Sequence, residues 1–107
     1  MKKYELGESA VFGGVTLYRV VALIDIPSAG AGVRAGDVGG WVEGEENLSH
    51  NGSAWVADNA QVYDVARVYD EALVYGDARV FNNAQVFGQA RVFNNARVRG
   101  TEQEHTK

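Results

Sequence analysis

The chain has 107 residues, no cysteine, one proline, 13 glycines and a formal net charge of −4. Disulfide frameworks and thiolate metal sites are therefore excluded, and one domain is expected at this length. Valine, alanine and glycine dominate the composition, which favours strands and turns over helices.

Residues 1–8 contain two lysines but no apolar stretch of the signal-peptide kind, and no run approaches the ~20 apolar residues of a membrane span. A cytoplasmic protein that does not engage a membrane is the expectation. Residues 9–26 form two β-rich runs separated by Gly13-Gly14, a hairpin signal. The second run is apolar on both faces. The hairpin is therefore expected to cap the end or side of the rest of the chain and to cover an open strand edge. Residues 1–35 form this cap and its loop. The loop, residues 27–36, is rich in glycine and alanine and reads as mobile.

Gly36-Asp37-Val38-Gly39-Gly40-Trp41-Val42-Glu43 follows. Such a glycine cluster either makes structural turns or cradles a phosphate through its N–H groups. It lacks the Walker spacing and the helix that would specify the second role.

From Ala54 onward alanine recurs every six residues through Ala96, with valine two places later from Val56 through Val98. A short strict period marks a solenoid, whose repeats pack on their neighbours. In a strand, Ala and Val two apart share one side. The residues between them are Trp55, Gln61, Arg67, Leu73, Arg79, Gln85, Arg91 and Arg97. Burying four arginines and two glutamines without partners would cost several kcal/mol each. Ala and Val therefore face inward. The last two positions of each hexad, such as Asp58-Asn59 and Asn82-Asn83, are rich in Gly, Asn and Asp and suit sharp corners.

These Ala-x-Val hexads resemble the hexapeptide-repeat, left-handed parallel β-helix superfamily. The resemblance implies an all-β triangular solenoid with three hexads per coil, so that stacked neighbours lie 18 residues apart. Continuing the phase upstream places Gly36/Val38, Val42/Gly44 and Leu48/His50 at the two inward positions. Residues 36–53 then form an irregular first coil and 54–101 the regular array. The total is about 3–4 coils and a shaft ~18 Å tall at ~4.8 Å per coil. Residues 102–107 read as a flexible tail. The β-rich start, the Gly-Asp-x-Gly-Gly-Trp segment and the hexads together look like small phage and prophage proteins. That likeness implies the cytoplasm of an infected or lysogenic bacterium.

Two sets of residues are candidates for function. Asp37, Trp41, Asn47, His50 and Trp55 gather around the irregular coil. They form either an aromatic-walled pocket or a structural seal. Hexapeptide-repeat acyltransferases use a histidine as general base, so His50 is either such a base or a packed, capping residue. The related zinc enzymes need three histidines, and this chain has only His50 and His105. No metal or cofactor is expected. The second set is the outward rings Tyr63, Tyr69, Tyr75, Phe81, Phe87 and Phe93. At a spacing of 18 they pair as Tyr63/Phe81, Tyr69/Phe87 and Tyr75/Phe93, one pair per face. Arg67, Arg79, Arg91 and Arg97 are expected beside them as cation–π partners. These stripes exceed what one hairpin covers, which points to self-association or a partner.

Residues 54–98 carry four arginines and five acidic residues. This balance disfavours direct nucleic-acid binding. The expectation is a non-enzymatic binding protein and homo-oligomer that engages a host protein or a small nucleotide-like ligand, as a counter-defence factor. The alternatives are a minimal acyltransferase using His50 and a structural module of a phage assembly.

Overall fold

The computed structural model describes residues 2–99 and the backbone of 103–104. Two long strands, β1 (Tyr4–Phe12) and β2 (Val15–Ala22), precede β3 (Val38–Val42) and a single 3-10 turn at Glu45–Asn47. Eight two-residue strands follow, one per hexad: β4 (Trp55–Val56), β5 (Gln61–Val62), β6 (Arg67–Val68), β7 (Leu73–Val74), β8 (Arg79–Val80), β9 (Gln85–Val86), β10 (Arg91–Val92) and β11 (Arg97–Val98). The last is β12 (Gln103–Glu104), paired in parallel with β9. There is no α-helix among the described residues, and none of their helices is long and apolar enough to cross a membrane.

The short strands stack in parallel as a β-solenoid of about three turns. Pairing runs strictly from residue i to i+18: Val56 to Val74 to Val92, Val62 to Val80 to Val98, and Val68 to Val86. Three faces result, in the orders β3-β5-β8-β11, β4-β7-β10 and β6-β9-β12. The inward alanines from Ala54 to Ala90 and valines from Val56 to Val98 are buried, as the parity of the hexad requires. Ala96 is the exception, with an exposed position near the last described rung.

The corners use left-handed backbone. Asp58, Asp64, Asp70, Asn82 and Asn94 have φ between 57° and 62°, and Gly76 and Gly88 occupy the same corner position. These residue types carry the lowest cost there. Each corner aspartate also reaches one coil along. Asp58, Asp64 and Asp70 accept the backbone N–H groups of Gly76, Asn82 and Gly88 at 2.9–3.1 Å.

The hairpin turns at Gly13-Gly14, with φ of 58° and 86°. It caps by joining the first face, since β2 lies antiparallel on β3 and extends that sheet to β1-β2-β3-β5-β8-β11. The open edge of β3 is thus closed by hydrogen bonds.

The first coil departs from the sequence phase. Val42 pairs with Val62 and Leu48 bridges to Val68, both 20 residues apart, whereas Val56 and Val74 are 18 apart. Two extra residues are taken up in the corner at 49–53. Gly40 and Val42 therefore hold the inward positions on the first face. Val38, expected inward, is 62% exposed. His50, also expected inward, sits in the lengthened corner. Gly39 and Gly40 are buried strand residues, neither turns nor a phosphate cradle. A Cβ on Gly40 would lie 2.7 Å from Val56 Cγ1 and 2.8 Å from the Ala60 carbonyl oxygen. Gln103 and Glu104 form a strand where a flexible tail was expected. The rest of that tail, including His105, lies outside the described residues.

Candidate functional site

The loop after β2 is fastened down, in contrast to the mobility expected from its composition. Ile26 and Val33 exchange backbone hydrogen bonds at 2.7 and 3.0 Å. Asp25 accepts the Ala35 N–H and Asp37 accepts the Arg34 N–H, both at 2.9 Å. Ile26, Ala29 and Val33 enter the core. The apolar stem and the two acidic turn acceptors outweigh the glycine content.

This loop lies over the second face of the solenoid. Trp55, Leu73 and Arg91 stand in register on the outer side of β4, β7 and β10. Trp55 is only 3% exposed and Leu73 only 7%, because the loop covers them. Between loop and face runs a cleft of about 610 Å³. Gly30, Asp37, Ala57, Asp58, Tyr75 and Arg91 are among its walls. Among the described residues Arg91 is the one cation lining it. Asp37 and Trp55, both expected at a site, meet here.

Trp41 does not. It lies on the first face, with Arg19 Cζ 4.3 Å above its ring and Phe12 edge-on at 5.0 Å. Arg19 also donates to the carbonyls of Gly39 and Asp58, both at 2.8 Å. Trp41 and Trp55 lie on different faces, with the Leu48 rung of the third face between them in the chain, and Trp41 does not line the cleft.

Asn47 and His50 belong to a third place, the polar seal of the first coil. Asn47 is buried and bonded at both ends of its amide. Its oxygen accepts the N–H groups of Glu43 and Gly44, and its nitrogen donates to the carbonyls of Asp64 and Ala66. His50 Nδ1 accepts the Lys3 N–H at 3.1 Å, so its proton sits on Nε2, which contacts Glu45 Oε1 at 2.9 Å. Its ring is stacked on Tyr4. The Tyr4 hydroxyl donates to the carbonyls of Leu48 and Glu45. Lys3 is buried, and its ammonium donates to the Ala54 carbonyl at 2.7 Å and that of Gly52 at 3.3 Å.

The electrostatics follow from burial. Desolvation brings the Lys3 ammonium down to about 8. Burial, with Glu45 and Glu46 nearby, pushes the Tyr4 phenol up. Hydrogen bonds from His50 and Lys2 hold the exposed Glu45 carboxyl below the usual range. His50 also lines a shallow groove of about 410 Å³ with Glu45 and Arg67. Among the described residues no group of three His, Cys, Asp or Glu is placed to hold a metal ion.

The outward rings pair as their spacing predicts. Tyr63/Phe81, Tyr69/Phe87 and Tyr75/Phe93 stack at 5.4, 5.5 and 5.3 Å, with planes within 10°. Each pair contributes about 0.5–1.5 kcal/mol. Stacking also hides the rings. Five are half-buried and only Phe93 is exposed, at 43%, so the stripes offer less apolar surface than their number suggests. Among the described residues none of Arg67, Arg79, Arg91 and Arg97 makes a cation–π contact; Arg19 does. No family model matches the chain, and no curated protein matches it in sequence.

Proposed function

We propose that this chain is a non-enzymatic binding protein, a hexapeptide-repeat solenoid of the left-handed type that takes a small nucleotide-like ligand in the cleft of its second face. The observation that carries the reading is the cleft itself. A fastened loop, buried apolar ladder residues and one guanidinium form a concave site with few polar groups, the usual form of a small-ligand pocket. The acyltransferase alternative draws no comparable support, because both nitrogens of His50 are engaged within the protein.

Native mass spectrometry of protein purified from producing cells, with hydrogen exchange at residues 29–33, tests the binding reading. A bound mass that protects this loop supports it. Protein that carries nothing and gains no loop protection from cell extract overturns it.

Homo-oligomer formation is part of the same proposal, with Tyr63, Tyr69, Tyr75 and their stacked phenylalanines at the contact. Light scattering showing a monomer at micromolar concentration would remove that part. A host-protein target and a counter-defence role rest on the resemblance of the hexads and the Gly-Asp-x-Gly-Gly-Trp segment. Expression in a phage-resistant host, scored by plaque formation, tests that role.

A further inference from the structure

Each aromatic ladder is one rung short. Backbone pairing puts Glu43 in register with Tyr63, Ser49 with Tyr69 and Ala57 with Tyr75, through bonds from their N–H groups to Val62, Val68 and Val74. The three columns therefore read Glu43/Tyr63/Phe81, Ser49/Tyr69/Phe87 and Ala57/Tyr75/Phe93. Two of the short rungs are filled with polar groups that have work in the fold. Glu43 accepts the Asp64 N–H, and Ser49 accepts the Asn51 N–H. The third is a methyl group.

Ala57 and Tyr75 both line the cleft of the second face. Phe93 covers one side of the Tyr75 ring at 5.3 Å. The side toward Ala57 has no ring against it. Coils repeat at ~4.8 Å, so a flat ring placed at the level of Ala57 would sit at stacking distance from Tyr75.

The polar groups around this gap narrow the ligand further. Arg91 is exposed, and its side chain makes no hydrogen bond or ion pair among the described residues. The N–H groups of Gly30 and Ala31 take no partner among the described residues. All three residues line the cleft, which makes their donors available to an anionic group there. Asp37 and Asp58 each use one oxygen on a backbone N–H, which leaves the other to accept a hydroxyl or ring N–H. With two carboxylates against one guanidinium, a chain of phosphates would be repelled.

Resting on the binding reading above, we infer that the cleft takes a planar heteroaromatic ligand with a single anionic group, stacked on Tyr75 in the place that Ala57 leaves open and neutralised by Arg91.

The test uses the full chain and a defined set of probes: the four ribonucleoside 5′-monophosphates, indole-3-carboxylate, adenosine, ATP and inorganic phosphate, followed by amide NMR shifts. At least one ring carrying a single anionic group should shift Ala57, Tyr75 and Gly30. ATP and inorganic phosphate should bind more weakly. Ala57→Phe supplies the missing rung from within and should weaken that probe at least tenfold. Arg91→Ala should weaken it at least fivefold and leave adenosine unchanged. If Ala57→Phe fails to fold, Tyr75→Leu removes the platform and should give the same loss. The inference is overturned if no ring probe shifts the cleft, if ATP binds tenfold better than AMP, or if the folded variant binds as the parent does. A probe that shifts Gly30 and Leu73 but survives Ala57→Phe refutes the stacking and leaves the cleft as a binding site. Failure of the cleft itself shows separately, as the lack of any bound mass or loop protection.

Discussion

The Tyr4 ring lies flat on the His50 imidazole, with 4.1 Å between centroids and 11° between planes. This stack ties the first strand of the hairpin to the lengthened corner of the first coil. His50→Ala removes the stack, the acceptor for the Lys3 N–H and the contact to Glu45. The expected cost is about 1–2 kcal/mol of stability, read as a lower urea midpoint, with the proposed ligand binding at the second face unchanged. A variant as stable as the parent but lacking its biological activity would move His50 from scaffold to chemistry.

Stability should rise and then fall with pH on the alkaline side. The Lys3 ammonium titrates at about 8 in the fold but at its ordinary, higher value in the unfolded chain. Between those values the unfolded state binds more protons, so folding becomes more favourable as pH rises. Tyr4 acts oppositely, because its raised pKa keeps it neutral in the fold while the unfolded phenol ionises near its ordinary value. Its contribution is present below that value and is lost above it. The unfolding free energy from urea titrations should thus increase from about pH 8 to a maximum near pH 10, by ~1–2 kcal/mol after allowance for water near the ammonium. Lys3→Met should abolish the rise. A flat profile in the parent would show that the ammonium is solvated.

Gly40 has no room for a side chain. The Cβ of Gly40→Ala would press on Val56 and on the Ala60 carbonyl, and backbone can yield only by moving β3 off β5. A loss of about 1–3 kcal/mol is expected. Thermal unfolding checks it, and an unchanged midpoint would mean that the first coil gives way easily.

The corner aspartates can be separated from their charge. Asp64→Ala removes the acceptor for the Asn82 N–H and leaves alanine at a φ of 59°. About 1–2 kcal/mol should be lost. Asp64→Asn keeps an acceptor and a residue type that tolerates this backbone, so it should stay within ~0.5 kcal/mol of the parent. Equal loss in both variants would show that the charge itself is needed.

Much of the architecture could be read from residue parity. Ala and Val two apart with polar residues between them were enough to place the core, and the three hexads per coil implied by the resemblance to hexapeptide-repeat β-helices placed the three stacked pairs. The first coil was not readable by extending the phase, because hydrogen bonds fix strands against strands and leave corner length free. Two residues added at 49–53 shift Val42 and Leu48 into register while Val38 and His50 fall out of it. Trp41 and Trp55 come apart for a related reason: the two corners on either side of Leu48 carry the chain from the first face to the second. A signal for the cleft of the second face was present nonetheless. Among the otherwise polar outward residues, Trp55 and Leu73 alone are apolar, and they are 18 apart. That pair marks where Ile26, Ala29 and Val33 land.

The corner bonds give the stack a direction. Asp58, Asp64 and Asp70 meet Gly76, Asn82 and Gly88, never another aspartate. Tandem duplication of residues 58–75 would keep every strand in register yet set carboxylate against carboxylate at three corners. Duplication of 76–93 would set Gly76, Asn82 and Gly88 against their own copies, with like charges among the corners meeting at Asp77 alone. Of the two successive coils, the second is the one by which such a chain lengthens with less charge repulsion.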